Sequence, residues 1–303
     1  MREIALQTQQ LTKRYGSFTA LESADMTVYR GDIYGLIGRN GAGKTTLMKT
    51  VTGLTEASAG DYTIFSRPSR SADRRRIGCL IEDPAFFGNL TARQNLRYYC
   101  YQKGISDLRQ IDEALSLVGL ADTGKKKFRQ FSLGMKQRLG VAFALLDNPD
   151  LVILDEPING LDPIGISELR DAFRRVVREK GVTLLISSHI LSELYAVANR
   201  FLFIEKGRVL KEITKEELDL ACSRCLVLKT DDVKKAAAVL EDQLHTADYK
   251  VIDSGELRVY DRALRPELLN RTLIENRVAV QGVYESGVTL EDYFKQLVGE
   301  VQA

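Results

Sequence analysis

The run Ile33-Tyr34-Gly35-Leu36-Ile37, followed at once by Gly38-Arg39-Asn40-Gly41-Ala42-Gly43-Lys44-Thr45-Thr46, constrains this chain more than any other. A short apolar run of this kind reads as a strand buried on both faces of a parallel sheet. The glycine-rich segment fits GxxxxGK[ST], and Thr46 to Val51 reads as a helix. Glycines let backbone N–H groups curl round a phosphate without a Cβ in the way. The helix N-terminus that follows adds partial positive charge. Lys44 is then placed to reach β- and γ-phosphates, and the Thr45 hydroxyl to take Mg²⁺. The spacing arises by chance in on the order of one such chain per hundred, and its position between strand and helix leaves a plain glycine turn as the poorer explanation.

A second apolar strand, Leu151-Val152-Ile153-Leu154, runs into Asp155-Glu156-Pro157. Acids at the carboxyl end of such a strand lie where open α/β sheets bind ligands. Asp155 suits a hard cation, and Glu156 can orient or deprotonate an attacking water. A third strand is expected at Val182–Ser187, after a helix Ile166–Lys180 that Gly181 ends. The start is antiparallel, with half-buried strands at 3–10 and 24–30 around a turn at Tyr15-Gly16-Ser17. Helices are expected at Thr91–Gln102 and Leu108–Val118.

Beyond Lys206-Gly207-Arg208 the pattern changes. Strand Leu226–Lys229, helix Val233–Leu244, a hairpin of Lys250–Asp253 and Glu256–Tyr260 across Ser254-Gly255, helix Pro266–Glu275, strand Val278–Tyr284 and helix Thr289–Val298 follow. That βαββαβ order resembles a ferredoxin-like module. The expected organisation is a nucleotide-binding domain over 1–215, with a helical part at about 88–140, and an α+β accessory domain over 216–303.

The totals narrow the function. A chain of 303 residues suits about two domains. With 43 basic and 41 acidic residues it has no bulk attraction to nucleic acid. The apolar run Val141–Leu146 is far short of the roughly 18 residues a spanning helix needs. Met1-Arg2-Glu3-Ile4 lacks a signal-peptide layout. A cytoplasmic protein is expected, whose membrane role, if any, comes through a partner. Four cysteines include the CxxC pair Cys222 and Cys225, but the histidines are only His189 and His245. Reduced, inert thiols are expected rather than a zinc site.

Further motifs carry a family resemblance. Phe131-Ser132-Leu133-Gly134-Met135-Lys136-Gln137-Arg138, ahead of the acid strand, resembles the signature of ATP-binding cassette (ABC) proteins. Asn159-Gly160-Leu161-Asp162-Pro163 is similar to their D-loop, and Ser187-Ser188-His189 to their switch histidine. Tyr15 sits where the family keeps an aromatic under adenine. The resemblance covers residues 3 to about 215.

It implies a P-loop NTPase of the ABC ATPase type, with a mixed sheet core, an antiparallel β subdomain and a helical subdomain. It also implies ATP and Mg²⁺. Gly38, Arg39, Asn40, Gly41, Ala42, Gly43, Lys44, Thr45 and Thr46 would hold the phosphates, and Tyr15 the base. Thr45, Asp155 and Glu82 would serve the metal, and Glu156, His189 and Glu82 the hydrolysis. Two cassettes would pair head to tail, most simply as a homodimer, with Ser132, Gly134 and Asp162 completing the partner's site. The other implied partner is an integral-membrane permease, which would hold the chain on the inner face of the cell membrane, with no direct contact to nucleic acid. A soluble cassette protein acting on ribosomes or nucleic acid is the alternative.

Two departures refine the resemblance. Glu82, in Leu80-Ile81-Glu82-Asp83-Pro84, stands where most members have glutamine, and Leu133 stands where glycine is common. With Ala85-Phe86-Phe87, Asn89-Leu90-Thr91 and the C-terminal Thr289-Leu290-Glu291-Asp292-Tyr293-Phe294, this wording resembles the subfamily that exports bacitracin, lantibiotics and similar peptides. Phe86, Phe87 and Leu90 are candidates either for a groove that receives a permease helix or for ordinary core. Arg67 to Arg76 and Lys125-Lys126-Lys127 read as solvated basic faces.

Overall fold

The apolar runs become the centre of a six-stranded sheet. In the computed structural model, which describes residues 2–68, 74–82, 85–223, 225–261 and 263–300, the strand order is β10-β9-β3-β8-β7-β6. Strands β3 (Ile33–Ile37), β6 (Ile77–Leu80), β7 (Leu151–Leu154), β8 (Thr183–Ser188) and β9 (Arg200–Glu205) run parallel. β10 (Arg208–Thr214) closes one edge antiparallel, so the sheet is mixed. Every residue of β3, β7 and β8 is buried. With both faces covered there is no polar face to alternate with, which is why these strands read as continuous apolar runs.

A second sheet is antiparallel, in the order β2-β1-β4-β5, with β1 at Ile4–Tyr15, β2 at Phe18–Tyr29, β4 at Ala59–Ile64 and β5 at Arg67–Pro68. The first two strands are longer than the expected 3–10 and 24–30, and they meet where Tyr15 faces Phe18. Their register shifts between Thr8 and Leu11, and again up to Arg14. Gln10 and Ser23 take φ of 48° and 46° there. Such bulges throw the two-residue alternation out of phase, so the pattern ends where the strand does not. Leu6, Leu21, Met26, Leu47, Met48, Ile153 and Leu202 share one core cluster across both sheets and the helix Lys44–Val51.

Several helices start on side-chain caps. Thr91 and Gln94 form a reciprocal capping box at the head of Ala92–Lys103, and Gly104 in the left-handed region ends it. Ser132 caps Leu133–Ala144 and Asp162 caps Pro163–Lys180, which Gly181 terminates. These two caps matter because both residues belong to the motifs above.

The chain divides into two compact units. One runs through Lys215 and takes in the residues from Leu297 onward; the other is Glu216–Gln296. The second unit has an antiparallel sheet in the order β12-β13-β11-β14, with β11 at Cys225–Thr230, β12 at Tyr249–Val251, β13 at Glu256–Val259 and β14 at Val280–Ser286. Helices Val233–Asp242 and Pro266–Glu275 make the crossovers. This is the ferredoxin-like order. Its core is Leu226, Leu228, Ala236, Leu240, Leu257, Leu269 and Leu273. The hairpin turn is four residues, not the two expected, because Asp253 accepts the Gly255 N–H at 2.7 Å and Ile252 N–H bonds back to Glu256 O.

No described helix is long and apolar enough to cross a membrane. The Cys222 and Cys225 thiols are both free and held above the ordinary thiol value, chiefly by burial. Of the arginine run, Arg70 lies outside the described residues, as does most of the stretch around it. Arg76 is no free surface charge: it binds Asp150 at 2.6 Å and lies 3.9 Å from the Phe65 ring centroid.

Candidate nucleotide site

The phosphate loop is shaped by what surrounds it. A Cβ at Gly38 would stand 2.4 Å from the Ile204 carbonyl oxygen, so only glycine leaves β3 here. Gly43 has φ of +108° and a Cβ would meet the Ala20 carbonyl at 2.8 Å. The turn between β9 and β10 braces the loop from behind, with Gly207 N–H donating to Ala42 O at 2.9 Å. Lys44 is 5% exposed. Its ammonium donates to the carbonyls of Gly38 (2.7 Å) and Arg39 (3.2 Å) and faces Glu156 Oε1 at 3.2 Å.

Parallel pairing brings the acids to the loop. Leu154 on β7 lies beside Ile186 on β8, and β8 lies beside β3. The ends of all three strands therefore converge. Thr45 Oγ1 donates to Asp155 Oδ2 at 2.6 Å. Ser187 Oγ donates to Asp155 Oδ1 at 2.6 Å and accepts the Glu156 N–H at 2.8 Å. Glu156 itself has φ of 48°, a left-handed conformation that costs a non-glycine residue on the order of 1–3 kcal/mol. His189 Nδ1 is 2.8 Å from Glu156 Oε2. A carboxylate accepts only, so the proton in that bond is on Nδ1.

Asp155 and Glu156 line one open cleft of about 330 Å³ with Tyr15, Phe18, Ala20 and the loop from Arg39 to Thr46, and Ser187 and His189 stand behind them through their bonds to the two acids. Tyr15 is 49% exposed, and Lys13 Nζ sits 4.9 Å from its ring centroid. Phe18, 65% exposed, is the residue that the motifs do not mark. Its signal was present as an aromatic across the two-residue turn from Tyr15. Glu82 is not brought to this cleft. It takes φ of 63°, its carboxylate pairs with Lys49 Nζ at 2.5 Å, and it stands largely in solvent. Asp83 and Pro84 lie outside the described residues.

The signature residues lie elsewhere. Ser132, Gly134 and Asp162 line a second cleft with Met135, Arg138, Gly160 and Leu161. Ser132 accepts Met135 N–H at 3.3 Å and Asp162 accepts Gly165 N–H at 2.9 Å. A Cβ at Gly134 would stand 3.3 Å from Gly160 O, so the helix end packs directly on the Asn159–Asp162 loop. One chain thus carries these two sets of motif residues in separate clefts. Phe86 and Phe87 divide: Phe86 packs edge-on against Tyr99, Phe128 and Phe143, while Phe87 is 46% exposed against Tyr98.

Known proteins show the family. The family model described as ABC transporter matches residues 21–159. The bacitracin transport ATP-binding protein BcrA of Bacillus licheniformis is 42% identical over 297 residues, 97% of each chain. The lantibiotic transport ATP-binding protein SrtF of Streptococcus pyogenes is 44% identical over 68% of this chain and 90% of its own. A solved ATP-binding subunit of an ABC transporter superposes with a TM-score of 0.63 at 32% identity, over 71% of this chain and 92% of its own. The chain belongs to the ABC transporter family, as one of its ATP-binding and ATP-hydrolysing subunits.

Proposed function

We propose that this subunit drives export of peptide antibiotics or related compounds through a separate integral-membrane permease, acting with a second cassette, most simply another copy of itself. The observation that carries the mechanism is the convergence of Lys44, Thr45, Asp155 and Glu156 in one cleft, with His189 on Glu156, while the signature residues line another.

The phosphate loop and Lys44 bind the phosphates of ATP, and adenine stacks on the Tyr15 face that Lys13 leaves open, a contact worth about 1–3 kcal/mol. Mg²⁺ fits the site because Thr45 and Asp155 present hard oxygen donors within 2.6 Å of each other. When bound, it neutralises charge on the β- and γ-phosphates. Glu156 takes a proton from the attacking water as the water oxygen bonds to the γ-phosphorus and the bond to the bridging oxygen breaks, leaving ADP and phosphate. His189 holds Glu156 and, from its other ring nitrogen, faces the γ-phosphate side. Ser132 and the Gly134 N–H, at the head of Leu133–Ala144, receive the γ-phosphate bound by the partner cassette, with Asp162 at the same interface.

Glu82 joins this site only after releasing Lys49. Its charge is then dispensable, since the amide oxygen of glutamine is also a hard donor. Glu82→Gln is expected to keep ATPase activity within about threefold of the parent; complete loss in a steady-state assay would show that the anion itself is required.

The exposed aromatics Phe87, Tyr98 and Tyr101 suit docking of an apolar helix from the permease. That contact would place the chain on the inner face of the cell membrane. Similarity to subunits named for bacitracin and lantibiotic transport supports the substrate class, whereas the near-balanced charge gives no support to a nucleic-acid partner. Co-expression with its permease is expected to raise a susceptible host's tolerance of bacitracin or a lantibiotic, and Glu156→Gln to remove the gain. An assembled, ATP-hydrolysing complex that changes tolerance to neither would sink the substrate assignment.

A further inference from the structure

We infer that Ser187 is a positioning residue for hydrolysis, a hydroxyl clamp that sets Asp155 and Glu156 relative to each other. The inference rests on the reading of Glu156 as the base. Ser187 is the fifth residue of β8 and is fully buried. Its single hydroxyl does two things at once: it donates to Asp155 Oδ1 and accepts the backbone N–H of Glu156. A hydroxyl is the smallest side-chain group that can do both, since it carries one proton and two lone pairs. The amide is part-buried and Ser187 is its partner, so the bond sets the orientation of the peptide between the two acids.

The consequence reaches the reacting groups. With its N–H fixed on β8, Glu156 is held in the left-handed conformation, φ 48°. From there its two carboxylate oxygens face Lys44 at 3.2 Å and His189 Nδ1 at 2.8 Å. Asp155 is fixed from both sides, by Ser187 on one oxygen and Thr45 on the other. His189 sits two residues beyond Ser187 on the same chain segment. Clamp and histidine are therefore carried together, and a shift of β8 moves both against the acids. Without the hydroxyl, the Glu156 N–H loses its partner on β8, and the carboxylate of Asp155 is free to turn about its remaining bond to Thr45.

The test uses the full chain and three variants. Ser187→Ala is expected to lower kcat roughly ten- to hundredfold, the scale of a misplaced catalytic group, with KM for ATP within about threefold. Equilibrium binding of a non-hydrolysable ATP analogue is expected to persist, but with less tightening on adding Mg²⁺ than the parent shows. Ser187→Thr, which restores the hydroxyl, is expected to recover most of kcat. Parental kcat in the alanine variant overturns the clamp, as do alanine and threonine variants equally slow with intact analogue binding, because packing would then be the cause. Glu156→Gln is run beside them. If it hydrolyses ATP at the parental rate, the reading of the base fails; if it is dead while Ser187→Ala is fully active, only the clamp does.

Discussion

Glu156→Gln is expected to bind ATP with near-parental affinity and to lose turnover by about 10²- to 10⁴-fold, the range removed with a general base. The substitution is nearly isosteric. The amide oxygen can keep the Lys44 contact while its NH2 donates to His189 Nδ1 in the other imidazole tautomer, so the cleft is not reshaped, but the amide cannot take a proton. Binding should persist because the phosphates are held by the loop, which is braced by Gly207 and shaped by Gly38 and Gly43 rather than by the acid. ATP-bound pairs should therefore accumulate, seen as a shift to the dimer on size exclusion only when ATP is present. Undiminished hydrolysis by the variant would remove Glu156 from the chemistry.

The second large effect comes from mixing two dead proteins. Lys44→Ala removes a nearly buried ammonium from the phosphate loop, and Ser132→Arg fills the head of the signature helix; each variant alone is expected to be inactive. If every ATP sits between the loop of one copy and the signature of the other, a mixed pair has one doubly damaged site and one intact site. Equal mixing should then restore activity, up to roughly one quarter of the parent from random pairing in a two-fold dimer. A mixture as inactive as its components, with mixed pairs confirmed by two tags, would contradict the shared site. The expectation follows from the separation of the two clefts within one chain.

The local features of this protein were legible because they are written in consecutive residues. The loop Gly38–Thr45, the acids after β7 and the caps Thr91, Ser132 and Asp162 depend on backbone geometry within a few positions. The harder features depend on neighbours far along the chain. Phe86 and Phe87 are adjacent and chemically identical, yet one is enclosed by Tyr99, Phe128 and Phe143 and the other lies at the surface. The family resemblance implies a metal ligand at Glu82, but a left-handed backbone turns it to Lys49. The bulges at Gln10 and Ser23 hid the true length of the first hairpin.

For the phosphate loop itself, the sequence determined nearly everything: residue types, order, and the strand and helix on either side. What only the tertiary structure decided is what stands across from it. Asp155 and Ser187 are separated by 32 positions and Thr45 and Asp155 by 110, and their hydroxyls and carboxylate meet because β3, β8 and β7 are neighbours in a parallel sheet. Strand order is a choice among long-range pairings that local pattern does not encode. The same order that buries the strands on both faces gathers their carboxyl ends, and the proposed chemistry sits where they gather.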